Sequence, residues 1–408
     1  MPTLEYSQLL EAVSAGGPSA LSSITPLRPA AGPHAAVAPA KYVGERGNTG
    51  TYVYATRYID GAPQRTVLID SSQSLSNRVE QALELAITDG SEALALIPRV
   101  RVTYERDGVA ETFSDLQLPH RAFDAHVRAG TVDGGPVTDH PTYRAARDAS
   151  PRDASGLLAL SPISLVFGSW DASRRAHQGR WPSALTGEII GVLADQDPNA
   201  AIPAKGGARV DPVGMSAQVD GATLIQLANA QRDELSPDLY QKIVKEAKGL
   251  KDGARTSASA LGFGGIPPTL AQLGGVSCSA IVRSHVLSFA ALRQIRFGRG
   301  ARGDAAIRAV LAAIAVNGIV RSDAELYIRA HCHLVEDGAS ITSVDRRHGE
   351  QEQFDLPEFD QVDALLLAAI DDARQYAGLD WNGQVFDVVG NAAILEGAED
   401  DQAENGRE

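Results

Sequence analysis

An α+β fold is what this sequence predicts, on three observations. Short β-rich runs recur along the chain; two segments, one around Val79 to Ile87 and one near Asp304 to Ile319, carry apolar residues at helical spacing; and the core order reads strand, helix, strand, strand, helix, strand. That order is the split βαβ of ferredoxin-like and RRM-like domains.

Taken in order, Leu4 to Val13 reads as a short amphipathic helix. Pro18, Pro26, Pro29, Pro33 and Pro39 then punctuate an Ala/Gly-rich stretch that reads as a connector, so residues 1–40 are set apart from a single domain at 41–395. In TYVYATRYIDGAPQRTVLID two β-rich runs flank Asp60-Gly61, a dipeptide favoured in hairpin turns. The strand ending at Asp70 feeds a helix of about four turns. Leu96 to Tyr104 is a further strand, and the polar stretch at about 130–155 reads as an insertion. PISLVFGSW at Pro162 to Trp170 and LTGEIIGVL at Leu185 to Leu193 read as compact buried strands, with a basic loop between them. Residues 194–275, rich in Gly, Pro and charge with one clear helix at Leu235 to Lys248, read as a second, larger insertion. The strand VSCSAIVRSHVLSF, the apolar helix near Asp304, a strand AELYIRAHCHLV and a helix at Asp360 to Ala377 complete the core.

The bulk numbers bound the function. A formal charge of −14 argues against a nucleic-acid binder that relies on a generally basic surface, and leaves room for a local basic groove. The segment 396–408 holds −5 of that charge and reads as a disordered acidic tail. No run of about 18 consecutive apolar residues suggests a membrane span, and MPTLEYSQLLEAV lacks a basic start and apolar core, so a soluble, cytoplasmic protein is expected. Cys278 and Cys332 are too few for a disulfide framework or a paired-cysteine metal knuckle and read as small core residues.

Catalysis finds no anchor. Neither GxSxG nor GxxxxGK[ST] occurs. Gly298, Gly300 and Gly303 match the letters of the GxGxxG dinucleotide fingerprint, but a basic, irregular run precedes them where the motif needs an apolar strand. His331 and His333 would share a strand face without the third and fourth ligands of a zinc site. No cofactor and no metal are expected.

The polar groups point to binding. Ser71, Ser72, Gln73, Ser74, Asn77 and Arg78 sit on the first turns of a helix, where free amides and the dipole favour an anion; they could grip phosphate and ribose, or merely cap the helix. Arg174, Arg175, His177 and Arg180 beside Trp170 and Trp181 supply charge for a backbone and rings for stacking, or form a solvated basic loop.

VLIDSSQSLSNRVEQAL, PHRAFDAHVR at 119–128, SPISLVFGSWDAS at 161–173, RWPSALTGEIIGV at 180–192, RVDPVGM at 209–215, GFGGIPPTL at 262–270 and HVLSFAALRQIRFG at 285–298 occur in one order. Together they resemble the CRISPR-associated RAMP-superfamily backbone subunit of the type I-U (also called I-G) Cascade complex. The resemblance spans roughly Lys41 to Trp381.

It implies an RRM-like palm with a finger at about 130–155 and a thumb at 194–275, several copies of which line up along a CRISPR guide RNA. It implies a non-catalytic subunit whose partners are guide RNA, target DNA reached through the guide, further copies of itself, the large subunit and the guide-processing, end-capping subunit. The expected RNA contacts are the Ser71 to Arg78 turn, Trp170, Arg174, Arg175, Arg180, Arg209, Arg283, His285, Arg293, Arg296 and Arg299. Two alternatives remain: an RNA-cleaving backbone subunit using Asp171 or Asp211, and a nucleotide-cofactor oxidoreductase using the three glycines.

Overall fold

The computed structural model describes residues 1–43, 50–106, 108–171, 179–201, 204–207, 217–264, 269–271 and 273–394. They fall into two compact units, one of Met1–Pro198 with the chain from Ser277 onward, the other Asn199–Val276. The first unit carries α1 (Tyr6–Val13), β1 (Ala20–Pro29), β2 (Tyr54–Ile59), β3 (Ala62–Asp70), α2 (Ser72–Thr88), β4 (Arg99–Arg106), β5 (Val109–Ser114) and β6 (Leu185–Leu193). The second carries α3 (Gly221–Ala230) and α4 (Pro237–Lys248). The chain returns to the first unit with β7 (Cys278–Ser288), α5 (Gly300–Ala324), β8 (Leu334–Glu336), β9 (Ile341–Asp345), β10 (Gln351–Phe354), α6 (Phe359–Ala377) and β11 (Val385–Val389).

The main sheet runs β10-β9-β1-β7-β6-β3-β2, with β8 also on β1, and every pair is antiparallel. Within it, β9-β1-β7-β6 interleaves two split βαβ units, β1–α2–β6 and β7–α5–β9, the ferredoxin-like arrangement of the expected α+β fold. Asp60 and Gly61 both have positive φ (50° and 79°), which makes the β2–β3 hairpin turn the one that Asp-Gly favours.

The first strand of that arrangement lies where the sequence suggested a connector. In β1, Leu21, Ser23, Thr25 and Leu27 are buried and alternate with Ser22, Ile24 and Pro26, which are not. Pro26 is tolerated because its nitrogen and carbonyl both point to the β8–β9 side, where the two short strands leave a gap. There the carbonyl accepts the Asp337 N–H (2.9 Å), so no ladder bond is lost.

Helix α5 is apolar all round and 94% of its most apolar stretch is buried. It is long and apolar enough to cross a membrane, but here it fills the core between α2 and α6. Gly318 lets α2 come close: a Cβ there would lie 2.5 Å from Val79 Cγ1.

Other expectations change. Pro162 to Trp170 is not one strand, because Pro162 adopts helical angles and opens a helical turn at Ile163–Val166 before Ser169–Trp170. The stretch from 324 to 335 contains only the start of β8, because His331 has φ 59° and Arg329 is drawn away to Asp70. Within 130–155, Val137, Tyr143 and Ala146 are fully buried in the main core, so this segment is folded onto the body. The strand expected at 96–104 is β4 of a second sheet, β5-β4-β11, continued by Thr131–Val132 and Gly135–Pro136, in which β11 runs parallel to β4.

In the second unit α3 packs on α4 through Leu224, Ala228, Ile243 and Ala247. It is inserted between β6 and β7, and a bond from Ala194 N–H to Ser277 O (3.0 Å) joins the two ends of the insertion.

Candidate nucleic-acid interface

The polar turn before α2 resolves into capping and ion pairing. Ser71 Oγ accepts the Ser74 N–H (3.3 Å), an ordinary N-cap. Arg78 Nε donates to Asp70 Oδ2 (2.9 Å) and Nη2 to Ile328 O (2.9 Å), while Arg329 Nη2 reaches Asp70 Oδ1 (2.8 Å). Asp70 is fully buried, and two guanidiniums are what let its charge stay there. Arg78 therefore pins β3 and α2 to the loop before β8 and is not a free cation. Ser72 and Ser74 are half-buried, and only Gln73 and Asn77 of this group stand exposed.

Several expected contacts are structural for the same reason. Arg283 is fully buried on the helix-covered side of β7 and ties Glu336 (2.8 Å), Asp323 (3.0 Å) and Thr25 (3.2 Å) together. His285, 1% exposed, meets Asp323 through Nε2 (2.9 Å). Two residues apart on one strand, they share a face, and that face is inside. Arg293 Nη1 donates to Pro18 O (2.6 Å), and burial pulls its pKa down. Arg174, Arg175, His177, Arg209 and Asp211 lie outside the described residues. Asp171 is buried, with Arg128 Nη1 at 3.5 Å. Trp181 is buried in the core.

Trp170, Arg180, Arg296 and Arg299 come out differently. Trp170 and Arg180 face each other across a two-rung hairpin, Ser169–Trp170 against Arg180–Trp181, with the guanidinium carbon 4.6 Å from the indole centroid. Trp170 is 41% exposed and Arg180 is exposed. A cleft of about 690 Å³ lies between Gly179 to Trp181 on one side and Arg147 to Pro151 on the other. That second wall is locked to the segment before α5: Arg296 N–H donates to Pro151 O (2.9 Å), Ala154 N–H to Arg296 O (2.8 Å) and Ser155 Oγ to Phe297 O (3.0 Å). Arg152, Arg296 and Arg299 stand exposed along this seam. Neither they nor Arg180 make an ion pair among the described residues. The arrangement offers four guanidiniums without an ion pair among the described residues, one of them stacked on an exposed ring, the means to hold a phosphate backbone and stack a base.

Sequence reasoning missed Arg152, whose only sequence signal was its place in a stretch read as an insertion. The run before GRGARG is not an apolar strand, as the sequence suggested. A short helix, Phe289–Arg293, precedes those glycines instead of a strand, and Asp304 Oδ1 accepts the N–H groups of Arg299 (2.9 Å) and Phe297 (3.2 Å). The carboxylate takes the place an anion would occupy. A Cβ on Gly303 would lie 2.8 Å from Tyr376 O, so that glycine serves helix packing.

Among the described residues no group of three or more His, Cys, Asp or Glu side chains is arranged to hold a metal. Burial pushes the thiols of Cys278 and Cys332 up to about 12 and about 11, which suits small core residues and not ligands.

No curated protein matches the chain significantly. A family model described as CRISPR-associated protein GSU0053 matches residues 21–196, from the first residues of β1 to just past the end of β6. The match takes in Asp70 and Arg78 but not Arg329, and includes the Trp170–Arg180 hairpin and the wall at Arg147 to Pro151. Over these residues the chain is similar to the GSU0053 family of CRISPR-associated proteins.

Proposed function

We propose that this chain is a non-catalytic backbone subunit of a type I Cascade complex, which oligomerises along CRISPR guide RNA and presents it for pairing with target DNA. The observation that carries the reading is the exposed Trp170–Arg180 stack, whose arginine lines a cleft with a far wall, Arg147 to Pro151, that runs on to Arg152 and is bonded to Arg296. Arginines without acidic partners among the described residues and one exposed ring favour a single strand held by its backbone, without selection among bases. Sequence choice then rests with guide–target pairing, as in other RNA-guided systems. Gln73 and Asn77 are the residues of the α2 turn that remain open to the same strand. The palm is the first compact unit, the thumb is the second, and the working compartment is the cytoplasm.

The test is the nucleic acid that purifies with the protein from cells expressing a guide. Wild type should carry RNA of defined length. Trp170→Ala with Arg180→Ala should remove most of it, and adding Arg152→Ala and Arg296→Ala should remove the rest while the circular-dichroism spectrum is unchanged. Full RNA retention in the four-residue variant would overturn the assignment.

A further inference from the structure

A cavity of about 860 Å³ opens where α5 ends and α6 begins, beside β8 and the start of β9. Five carboxylates line it, Asp323, Glu325, Glu336, Asp355 and Glu358, and among the described residues no lysine, arginine or histidine does. The rest of its wall is largely apolar, with Val320, Leu334, Leu356 and Pro357 beside the rings of Tyr327 and Phe359. Tyr327 is 68% exposed and Phe359 42%. Glu325, Tyr327 and Phe359 also line a second cleft of about 340 Å³, which runs on to the exposed Leu85 of α2, so the two clefts form one groove.

Part of this charge is already met. Arg283 holds Asp323 (3.0 Å) and Glu336 (2.8 Å), and the Met1 nitrogen lies 3.0 Å from Asp355. Glu325 and Glu358 are exposed and pair with no cation among the described residues. Glu358 caps the start of α6, which accounts for it. Glu325 has no such account: it stands at the C-terminal end of α5, where the dipole disfavours a carboxylate. The basic residue of that last turn, Arg321, is spent on Asp363 (2.9 Å), and Arg78 in the second cleft is spent on Asp70. The groove therefore presents negative charge over an apolar floor at some cost to the helix that borders it.

We propose that this groove docks an arginine-bearing segment of a second protein. Arginine suits both parts of it, because the guanidinium forks onto a carboxylate and stacks on an aromatic face while its stem lies along apolar wall. A small amine would answer the charge but not the length of two joined clefts. A second copy of this chain, at −14 overall, is less complementary to the groove than a basic partner. The proposal uses neither Trp170 nor Arg180 and is independent of the guide-holding reading.

The experiment titrates a fluorescein-labelled synthetic peptide of alternating arginine and leucine with the full chain as purified, at about 50 and 500 mM salt, and runs a peptide with glutamine for arginine in parallel. Glu325→Lys should weaken binding of the arginine peptide about fivefold to tenfold at the lower salt, since an exposed attraction becomes a repulsion, and the loss should shrink at the higher. Lysine is favoured at a helix C-terminus, so this variant should fold at least as well as wild type. Asp380→Lys makes the same charge change at an exposed site past the far end of α6, a 19-residue helix and so about 28 Å away, and should leave binding within about twofold. Peptide taken up by co-purified RNA is common to all three proteins and cancels in the comparison. Absence of binding by wild type, equal weakening by the two variants, or equal binding of the glutamine peptide would each overturn the proposal. Self-association of wild type that Glu325→Lys abolishes would overturn it too, by giving the groove to a second copy. Failure of the guide-holding reading would show instead as RNA retained by the Trp170 and Arg180 variants.

Discussion

Arg121 and Glu80 meet twice, Nε to Oε1 at 2.5 Å and Nη2 to Oε2 at 2.6 Å, and both side chains are buried. The third nitrogen of Arg121 donates to Gly168 O (2.8 Å), so one guanidinium joins α2 to the turn before Ser169 and Trp170. Arg121 holds a left-handed backbone (φ 50°) to make this reach. Burial raises the pKa of the Glu80 carboxyl, and the guanidinium works against that rise.

Arg121→Met should therefore cost about 3–5 kcal/mol in urea unfolding, because it strands a buried carboxylate. Replacing both residues, Glu80→Met with Arg121→Met, should recover a good part of that loss. If the single variant costs no more than the double, the pair does not hold the turn.

Arg283 and Arg180 should separate in the same assays. Arg283→Met leaves Asp323 and Glu336 without their shared cation and should destabilise by about 3 kcal/mol or more. Arg180→Ala removes a cation from an exposed ring and should change stability by less than about 1 kcal/mol, while reducing retained RNA. Equal stability losses would contradict the burial pattern.

Asp115 supplies a pH dependence. It is fully buried, and desolvation raises its pKa to about 7 against the lowering pull of the Ser161 side chain and the Val100 and Asp115 backbone. Its folded pKa lies above the unfolded value of about 4, so the unfolded chain releases this proton first as pH rises. The stability tied to the neutral acid is complete below about pH 4 and lost as pH rises through about 7. Asp115→Asn should be worth roughly 2–4 kcal/mol more relative to wild type at pH 8 than at pH 4, by thermal or urea unfolding. A difference that does not vary with pH would refute the raised pKa.

Gly318→Ala sets two effects against each other. Alanine gains about 1 kcal/mol in helix propensity, but its methyl would meet Val79 Cγ1 at 2.5 Å. Overpacking should win, with a net loss of about 1–2 kcal/mol that Val79→Ala added in the same chain reduces.

Much of this architecture is legible in the sequence where local chemistry decides it. Asp60-Gly61 set the hairpin, the period of Val79, Leu83 and Ala86 set α2, and the run of small apolar residues set α5. What was not legible depends on distant partners. Pro26 and Pro29 disguise β1, because only the gap between β8 and β9 makes a proline acceptable there. Arg283 and His285 look like surface cations until Asp323, thirty-eight residues beyond His285, is seen to cover them. Among the candidate contacts, Trp170 and Arg180 could be read from adjacent text, whereas Arg152 joins them only through the Pro151–Arg296 bond.

The position of β1 also sets a timetable. It lies between β7 and β9, so a strand made within the first thirty residues waits for partners at 278–288 and 341–345. At about 5–20 residues per second, a ribosome needs roughly 10 to 50 s to deliver the first of them. Through that interval Leu21 and Leu27 have no sheet to join, and such long-range pairing is slow to form and prone to aggregation. Synthesis speed and chaperone access, as much as final stability, should govern how much of this protein reaches its folded state.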